Sequence, residues 1–320
     1  METQKVLVTG ASGFVGQAVC QHLAESGLSV IKALRNSAGD QTDARIVGEI
    51  NAQTDWSQAL LGVDSIVHLA ARVHVMHDVA ADPLSEFRKV NVAGTVNLAQ
   101  QAAQAGVRRL IFVSSIKVNG EKTEEQQFTE MDKPAPQDPY SISKFEAEQQ
   151  LQEIAHQTGL EVVILRPPLI YGPRVKANFY QLMNAVYRGW PLPLGSVHNK
   201  RSLLYVNTFA DAIKVSLTHP NAVGKTFLVS DDESVSTSEL VSKLGRHLHR
   251  APRLLNIPVT WMKLGGKFSG KSAAVDRLTS SLVVNSNKIR QDLGWTSPYS
   301  FDLGIQKTSE WFLSSKAQGN

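Results

Sequence analysis

The stretch that most limits what this chain can fold into is Val6-Leu7-Val8-Thr9-Gly10-Ala11-Ser12-Gly13-Phe14-Val15-Gly16. A short apolar run, read as a strand, ends in three glycines spaced three apart, and a helical pattern starts at once. In such a strand–turn–helix unit the first glycine permits the tight turn and the second lets a pyrophosphate approach the backbone. The third lets the helix pack closely on the strand. Free amides and the positive end of the helix dipole then favour an anion. The expected dinucleotide contacts are Gly10, Ser12, Gly13, Phe14, Val15 and Gly16.

The rest of the first half repeats this logic. Apolar runs at 29–34, 44–50, 64–71, 109–113 and 161–165 alternate with helical patterns, including 17–26, 91–105 and a helix opening at Tyr140. Six strands in alternation with helices predict an α/β fold, a Rossmann-type doubly wound parallel sheet. Ligands in such sheets lie beyond the carboxyl ends of the strands. After Tyr171-Gly172-Pro173 the alternation loosens, and glycine, proline and lone basic residues become frequent. The boundary is therefore placed at residue 170, between a dinucleotide-binding domain (1–170) and a smaller C-terminal substrate-binding domain (171–320). The tail Ser314 to Asn320 is expected to fray.

Composition mainly excludes. One cysteine, Cys20, allows no disulfide framework and suits a reducing cytoplasm. The five residues before the first strand leave no room for a signal peptide, and no apolar run nears the ~18 residues of a membrane span. The net charge of +4 reads as spread along the chain, so the pI of about 9.1 suggests anionic small ligands, with no nucleic-acid and no membrane partner. His74 and His77 have a spacing two metal ligands could use on a helix, but no further ligand cluster stands nearby, so no metal is expected.

The end of the second strand bears on the choice of cofactor. A carboxylate there usually holds the adenosine ribose. This chain has Lys32-Ala33-Leu34-Arg35-Asn36 instead, and Arg35 could hold a 2′-phosphate with its fork of donors. NADP(H) is thus favoured, with NAD(H) possible; in the latter case Arg35 is a loop arginine stacking on adenine. Glu49 and Ile50 close the third strand just before 51–55, where such folds seat the adenine. Leu69, Ala70 and Ala71 end the fourth strand, with small side chains that would let the cofactor pass close.

Tyr140 and Lys144, four apart, share one face of a helix start. An unperturbed tyrosine titrates near ~10, and a cationic lysine beside it should favour the phenolate. Ser115, at the end of the fifth strand, can donate a hydrogen bond to a substrate oxygen. The three suit hydride transfer, in which Tyr140 handles the proton. A competing motif is Gly265-Gly266-Lys267-Phe268-Ser269-Gly270-Lys271-Ser272, which satisfies G-x-x-x-x-G-K-[ST]. It follows a stretch read as a short amphipathic helix begun by Pro258, not a buried strand, so a nucleotide triphosphate loop is not expected.

With these motifs together, the chain resembles the extended short-chain dehydrogenase/reductase family, in its nucleotide-sugar epimerase/dehydratase branch. The likeness runs through Thr9-Gly10 to Gly16, His68-Leu69-Ala70-Ala71, Asn91, Ser115, Tyr140 and Lys144. It continues in Arg166-Pro167, Tyr171-Gly172-Pro173, Arg201 to Val206 and Leu293-Gly294-Trp295. It implies cofactor contacts from Asn91, Tyr140, Lys144 and Pro167, and substrate contacts from Ser115 and Lys117. Asn178, Arg201 and Arg277 fall where the family grips a nucleotide diphosphate. The branch's dehydratases carry an Asp-Glu pair after the serine or threonine, whereas this chain has Ile116-Lys117, which disfavours dehydration. Val118-Asn119-Gly120 stands where V-Y-G is frequent. The resemblance implies chemistry at carbon 4 of a UDP-sugar. Similarity to 4-ketoreductases of UDP-4-keto-6-deoxy-N-acetylhexosamines favours net reduction; a UDP-hexose 4-epimerase is the alternative, and a non-catalytic NADP-binding regulator is a third reading. A homodimer is left open.

Overall fold

The structure is a computed structural model and describes residues 3–36, 43–73, 82–270 and 272–318. The first half reads β1 (Lys5–Thr9), α1 (Phe14–Glu25), β2 (Ser29–Leu34), β3 (Ala44–Ile46), β4 (Ser65–His68) and α2 (Pro83–Arg88). A π-helical segment, Lys89–Gly94, leads into α3 (Thr95–Gln104), followed by β5 (Arg109–Val113), α4 (Pro139–Thr158) and β6 (Glu161–Arg166). The second half reads β7 (Leu169–Tyr171), α5 (Ala177–Tyr187), β8 (Pro191–Leu192), β9 (Arg201–Tyr205), α6 (Val206–Thr218) and β10 (Thr226–Leu228). It ends with β11 (Ser234–Val235), α7 (Thr237–His247), β12 (Arg253–Leu254), α8 (Val259–Phe268), α9 (Ser272–Thr279), α10 (Asn287–Leu293) and α11 (Phe301–Gln318).

Seven strands form the main sheet in the order β10-β6-β5-β4-β1-β2-β3, every pair parallel. The order reverses beside β1, at the crevice where an open α/β sheet binds its ligand. Continuous burial of β1, β4, β5 and β6 follows from helices on both faces. On one face Leu98, Ala99 and Ala102 of α3 and Ala147, Leu151 and Ile154 of α4 pack against Ile66, Leu110 and Phe112. On the other, Val19 and Leu23 of α1 meet Phe209, Ile213 and Leu217 of α6.

The chain thus returns to the main sheet after residue 170, since α6 and β10 both belong to it. β10 is too short, at three residues, to show as an apolar run. A third core, with Tyr171, Phe179, Met183, Tyr205 and Phe312, organises α5, α7 and α11 around β11-β9-β7.

Several expected boundaries change. The third strand ends at Ile46, not Ile50, because Gly48 turns the chain at φ 70° after the Val47 amide bonds to Leu34. The fourth keeps only Ser65–His68 of 64–71. The first helix opens at Phe14, directly on Gly13, ahead of the expected Gln17. Among the described residues of the tail the expected fraying is not found: α11 runs on to Gln318, with Phe312 in the third core.

Candidate active site

The glycine turn has the expected form. Gly10 stands at φ 67°, a conformation open to glycine, and a Cβ there would lie 2.9 Å from the Ala70 nitrogen at the end of β4. A Cβ on Gly16 would come within 2.1 Å of the Gly10 carbonyl oxygen. Helix α1 therefore starts against the turn itself. Its N-cap, Gly13, offers no capping side chain, and its first turn carries no acid. The first amides are left to an outside acceptor, so these residues fit a dinucleotide pyrophosphate. A cavity lined by Ser12, Phe14, Gln17, Arg174 and Trp311 opens beside this helix end.

Behind the turn runs a buried hydrogen-bond chain that sequence reading missed. The Ala70 amide donates to Thr9 Oγ1 (3.1 Å), which meets His68 Nδ1 at 2.7 Å. His68 Nε2 lies 3.0 Å from Thr95 Oγ1, whose hydroxyl donates to the Asn91 carbonyl (2.7 Å). Thr95 spends its proton on that carbonyl, so the network assigns the ring proton to Nε2 and leaves Nδ1 to accept from Thr9. Burial, reinforced by the nearby Lys144 charge, pulls the His68 pKa down to about 3. Asn91 continues the chain: its Nδ2 donates to Arg72 O (3.1 Å) and Ser143 Oγ (3.0 Å), and Ser143 donates to the Tyr140 carbonyl (2.7 Å). The signal for this chain was a polar residue, His68, ending an otherwise apolar strand.

Tyr140 and Lys144 open α4, whose cap is reciprocal: Asp138 accepts from the Ser141 amide (2.7 Å), and Ser141 Oγ accepts from the Asp138 amide (3.1 Å). The Tyr140 ring meets Phe87 edge-on at 6.2 Å. Lys144 is 1% exposed, its ammonium 3.8 Å from the Phe112 ring centroid. Burial lowers the Lys144 pKa to about 7 although Glu148 resists. The expected drop in the Tyr140 pKa is not found. Burial, with the Asp138 charge adding to it, pushes the phenol up to about 12. Ser115 lies two residues past β5, where its Oγ accepts from the Lys117 amide at 3.3 Å.

Other candidates fall into groups. Lys117 is engaged by Asp138 (2.6 Å) and Glu121 (3.0 Å), so it braces the α4 cap. Arg201 Nη1 donates to the carbonyls of Arg277 (2.9 Å) and Ser280 (3.1 Å), and burial lowers its pKa with the Arg277 charge adding to the effect. The two arginines thus converge, with Arg277 exposed. Asn178 is exposed at the start of α5 and shares no hydrogen bond with either among the described residues. Arg35 is exposed just past β2, and Glu49 is exposed beyond β3. Ile50 rests on the π-helical segment at Gly94, while Leu69, Ala70 and Ala71 are half-buried past β4. The Pro167 carbonyl accepts from the Ile116 amide (3.0 Å). Asn119, in the place of the frequent tyrosine, is buried and accepts from Arg166 Nη1 at 2.9 Å. Arg166 also forks onto Glu148 of α4. His74, His77 and Lys271 lie outside the described residues, and no group of three metal-ligating side chains occurs among the described ones.

Comparison with known proteins agrees with this arrangement. Residues 6–230 match the model of the NAD dependent epimerase/dehydratase family. A protein described as UDP-glucose 4-epimerase from Vibrio cholerae is 45% identical, over 98% of this chain and 96% of its own length. N-acetyl-alpha-D-glucosaminyl-diphospho-ditrans,octacis-undecaprenol 4-epimerase of Escherichia coli O157:H7 is 27% identical, covering 97% and 96%. The fold is shared with the solved UDP-glucuronic acid 4-epimerase of Bacillus cereus, at a TM-score of 0.79 and 21% identity over 97% and 99% of the two chains. With its glycine turn, parallel sheet order and tyrosine–lysine helix in place, the chain belongs to the NAD dependent epimerase/dehydratase family, as an enzyme of the extended short-chain dehydrogenase/reductase type.

Proposed function

We propose that this enzyme interconverts the carbon-4 epimers of a UDP-hexose and keeps NAD(H) bound throughout. The observation that carries this reading is the 45% identity, over nearly both whole chains, to a protein described as UDP-glucose 4-epimerase. It replaces net reduction of a 4-keto sugar, which rested on short motifs such as Ser115-Ile116-Lys117. Dehydration is disfavoured by the same positions: Ile116 is buried, and Lys117 is committed to Asp138 and Glu121. The lean to NADP(H) rested on Arg35 and gains no support, since the family description and the solved relatives name NAD.

In this reading the chemistry that bound NAD⁺ would supply is acceptance of the carbon-4 hydride and its return to the opposite face of the resulting ketone. Tyr140 Oη takes the proton from the 4-hydroxyl and returns it, and Ser115 Oγ donates to the same oxygen. A phenol held near 12 is a poor base, so the positive charge of Lys144, one turn along the same helix, would be the group that stabilises the phenolate. Gly10, Ser12, Gly13, Phe14, Val15, Gly16, Glu49, Ile50, Leu69–Ala71, Asn91 and Pro167 would contact the cofactor, with Arg35 over the adenosine. Arg201, Arg277 and Asn178 would hold the diphosphate, and Lys117 would reach substrate only by leaving Asp138. The first domain (1–170) would thus serve the cofactor and residues 171–320 mainly the nucleotide sugar, with α6 and β10 shared.

The test is to incubate the purified protein with UDP-glucose and no added nicotinamide, and follow UDP-galactose by chromatography. Interconversion is expected, and Tyr140→Phe should slow it by about 10²–10⁴-fold while cofactor content stays unchanged. No interconversion, together with NADPH consumption on a 4-keto sugar nucleotide, would replace the epimerase with the reductase.

A further inference from the structure

We propose that α8 docks this protein on an anionic membrane surface. The positive charge is not spread along the chain as composition suggested. Residues 240–275 contain seven Lys and Arg and no Asp or Glu, leaving a formal charge of −3 on the other 284 residues. Lys243 is paired with Glu233 and Asp302, while Arg246, Arg250, Arg253, Lys263 and Lys267 are exposed and favour an anionic partner.

Helix α8 lies inside that block and is apolar on two faces. Val259 and Met262 turn inward to the third core, and Gly266 is buried beneath Val275 of α9. Trp261, Leu264 and Phe268, spaced three and four apart, form a second stripe that is 73%, 57% and 84% exposed. Lys263 and Lys267 are exposed between the two faces. An ordinary surface helix puts its apolar face inward and its polar face out. A helix lying in a bilayer interface presents outward aromatic and leucine side chains, with lysines whose stems run along the apolar surface to the headgroups. At ten residues α8 spans about 15 Å, half of a hydrocarbon core, so it can lie in the interface but not cross it. A second copy is a poorer occupant, because a symmetric contact would set two acid-free basic segments against each other.

The docked surface adjoins the candidate diphosphate clamp. Helix α9, on which Gly266 packs, carries Arg277, whose carbonyl holds Arg201. Docking would bring that pair close to the bilayer whichever sugar the enzyme takes.

Co-sedimentation of the full chain with vesicles tests this. Vesicles of phosphatidylglycerol and phosphatidylcholine should retain about tenfold more protein than phosphatidylcholine alone, and half-molar salt should remove the difference. Phe268→Glu and the pair Lys263→Glu/Lys267→Glu should each abolish retention. Melting temperature and turnover of UDP-hexose should stay unchanged, since these side chains are exposed. Equal binding to both vesicles, or retention untouched by these variants, overturns the proposal. So does a dimer in solution that Phe268→Glu converts to monomer without any vesicle binding.

Discussion

Two glycine-rich stretches in this chain satisfy nucleotide-binding patterns, and they fold into opposite things. Gly10, Gly13 and Gly16 follow a buried strand, and the turn they make leaves helix amides open at the crevice of the sheet. Gly265 and Gly266 lie within α8, and Gly270 follows its end at φ 67°, before α9. No strand delivers that second turn to a sheet edge. The difference is one of crowding. At Gly10 and Gly16 backbone stands within 3 Å of where a Cβ would be, and at Gly13 at 3.2 Å, whereas around Gly265 and Gly270 nothing lies within 4 Å and Gly266 meets a side chain, that of Val275. A glycine pattern acquires meaning from the element that precedes it.

The comparison breaks most sharply at Gly16. Gly16→Ala drives a methyl into the Gly10 carbonyl, and the destabilisation should sit at or above the top of the ~1–3 kcal/mol range for overpacking. Thermal unfolding and bound-cofactor content would report it, and a variant with unchanged melting temperature and full cofactor would remove the close-packing account of this turn.

Next in size is an acid limb from His68, which stands on β4 behind the first stretch. His68 has a folded pKa of about 3, below its unfolded value near ~6.5, so the unfolded chain takes up the proton first. The stability from the neutral ring is fully present above ~6.5 and is lost as pH falls toward 3, by up to about 1.4 kcal/mol per pH unit. Urea unfolding between pH 4 and 7 should show that slope, and it should flatten in His68→Gln. Parallel slopes in both proteins would place the acid sensitivity elsewhere.

In the second stretch the sign reverses. Gly265→Ala adds a helix-favouring methyl into open space and should stabilise by about 0.5–1 kcal/mol. A drop in melting temperature would show that α8 needs the glycine. The smallest effect expected is none at all: Lys271→Ala should leave epimerisation, cofactor content and ATP binding as they were. ATP binding by the parent chain that this variant abolishes would restore the second stretch as a phosphate loop.

Much of the fold was legible because its signals are local. Buried parallel strands need near-continuous apolar runs, so β1, β2, β4, β5 and β6 could be found from them, whereas the three-residue β10 could not. In the site, Tyr140 and Lys144 could be paired from their spacing, but not the direction in which Lys144 points or the rise in the Tyr140 pKa. Lys117 read as a substrate contact, yet its partner Asp138 stands 21 residues away. The acid-free block 240–275 was visible in the letters, but the exposure of its aromatic stripe was not.

By itself, then, the sequence determined the turn geometry at Gly10–Gly16, the alternation that makes a parallel sheet, and the residue types available for proton transfer. Each depends on neighbours within one or two turns or strands, where backbone sterics and hydrophobic period act. Only the tertiary structure decided that His68 stays neutral between two threonines. It also decided that Arg201 and Arg277 converge and that α8 turns Trp261 and Phe268 outward. Those outcomes depend on burial and on partners dozens of residues away, and desolvation is a property of the packed molecule, absent from any local run of residues.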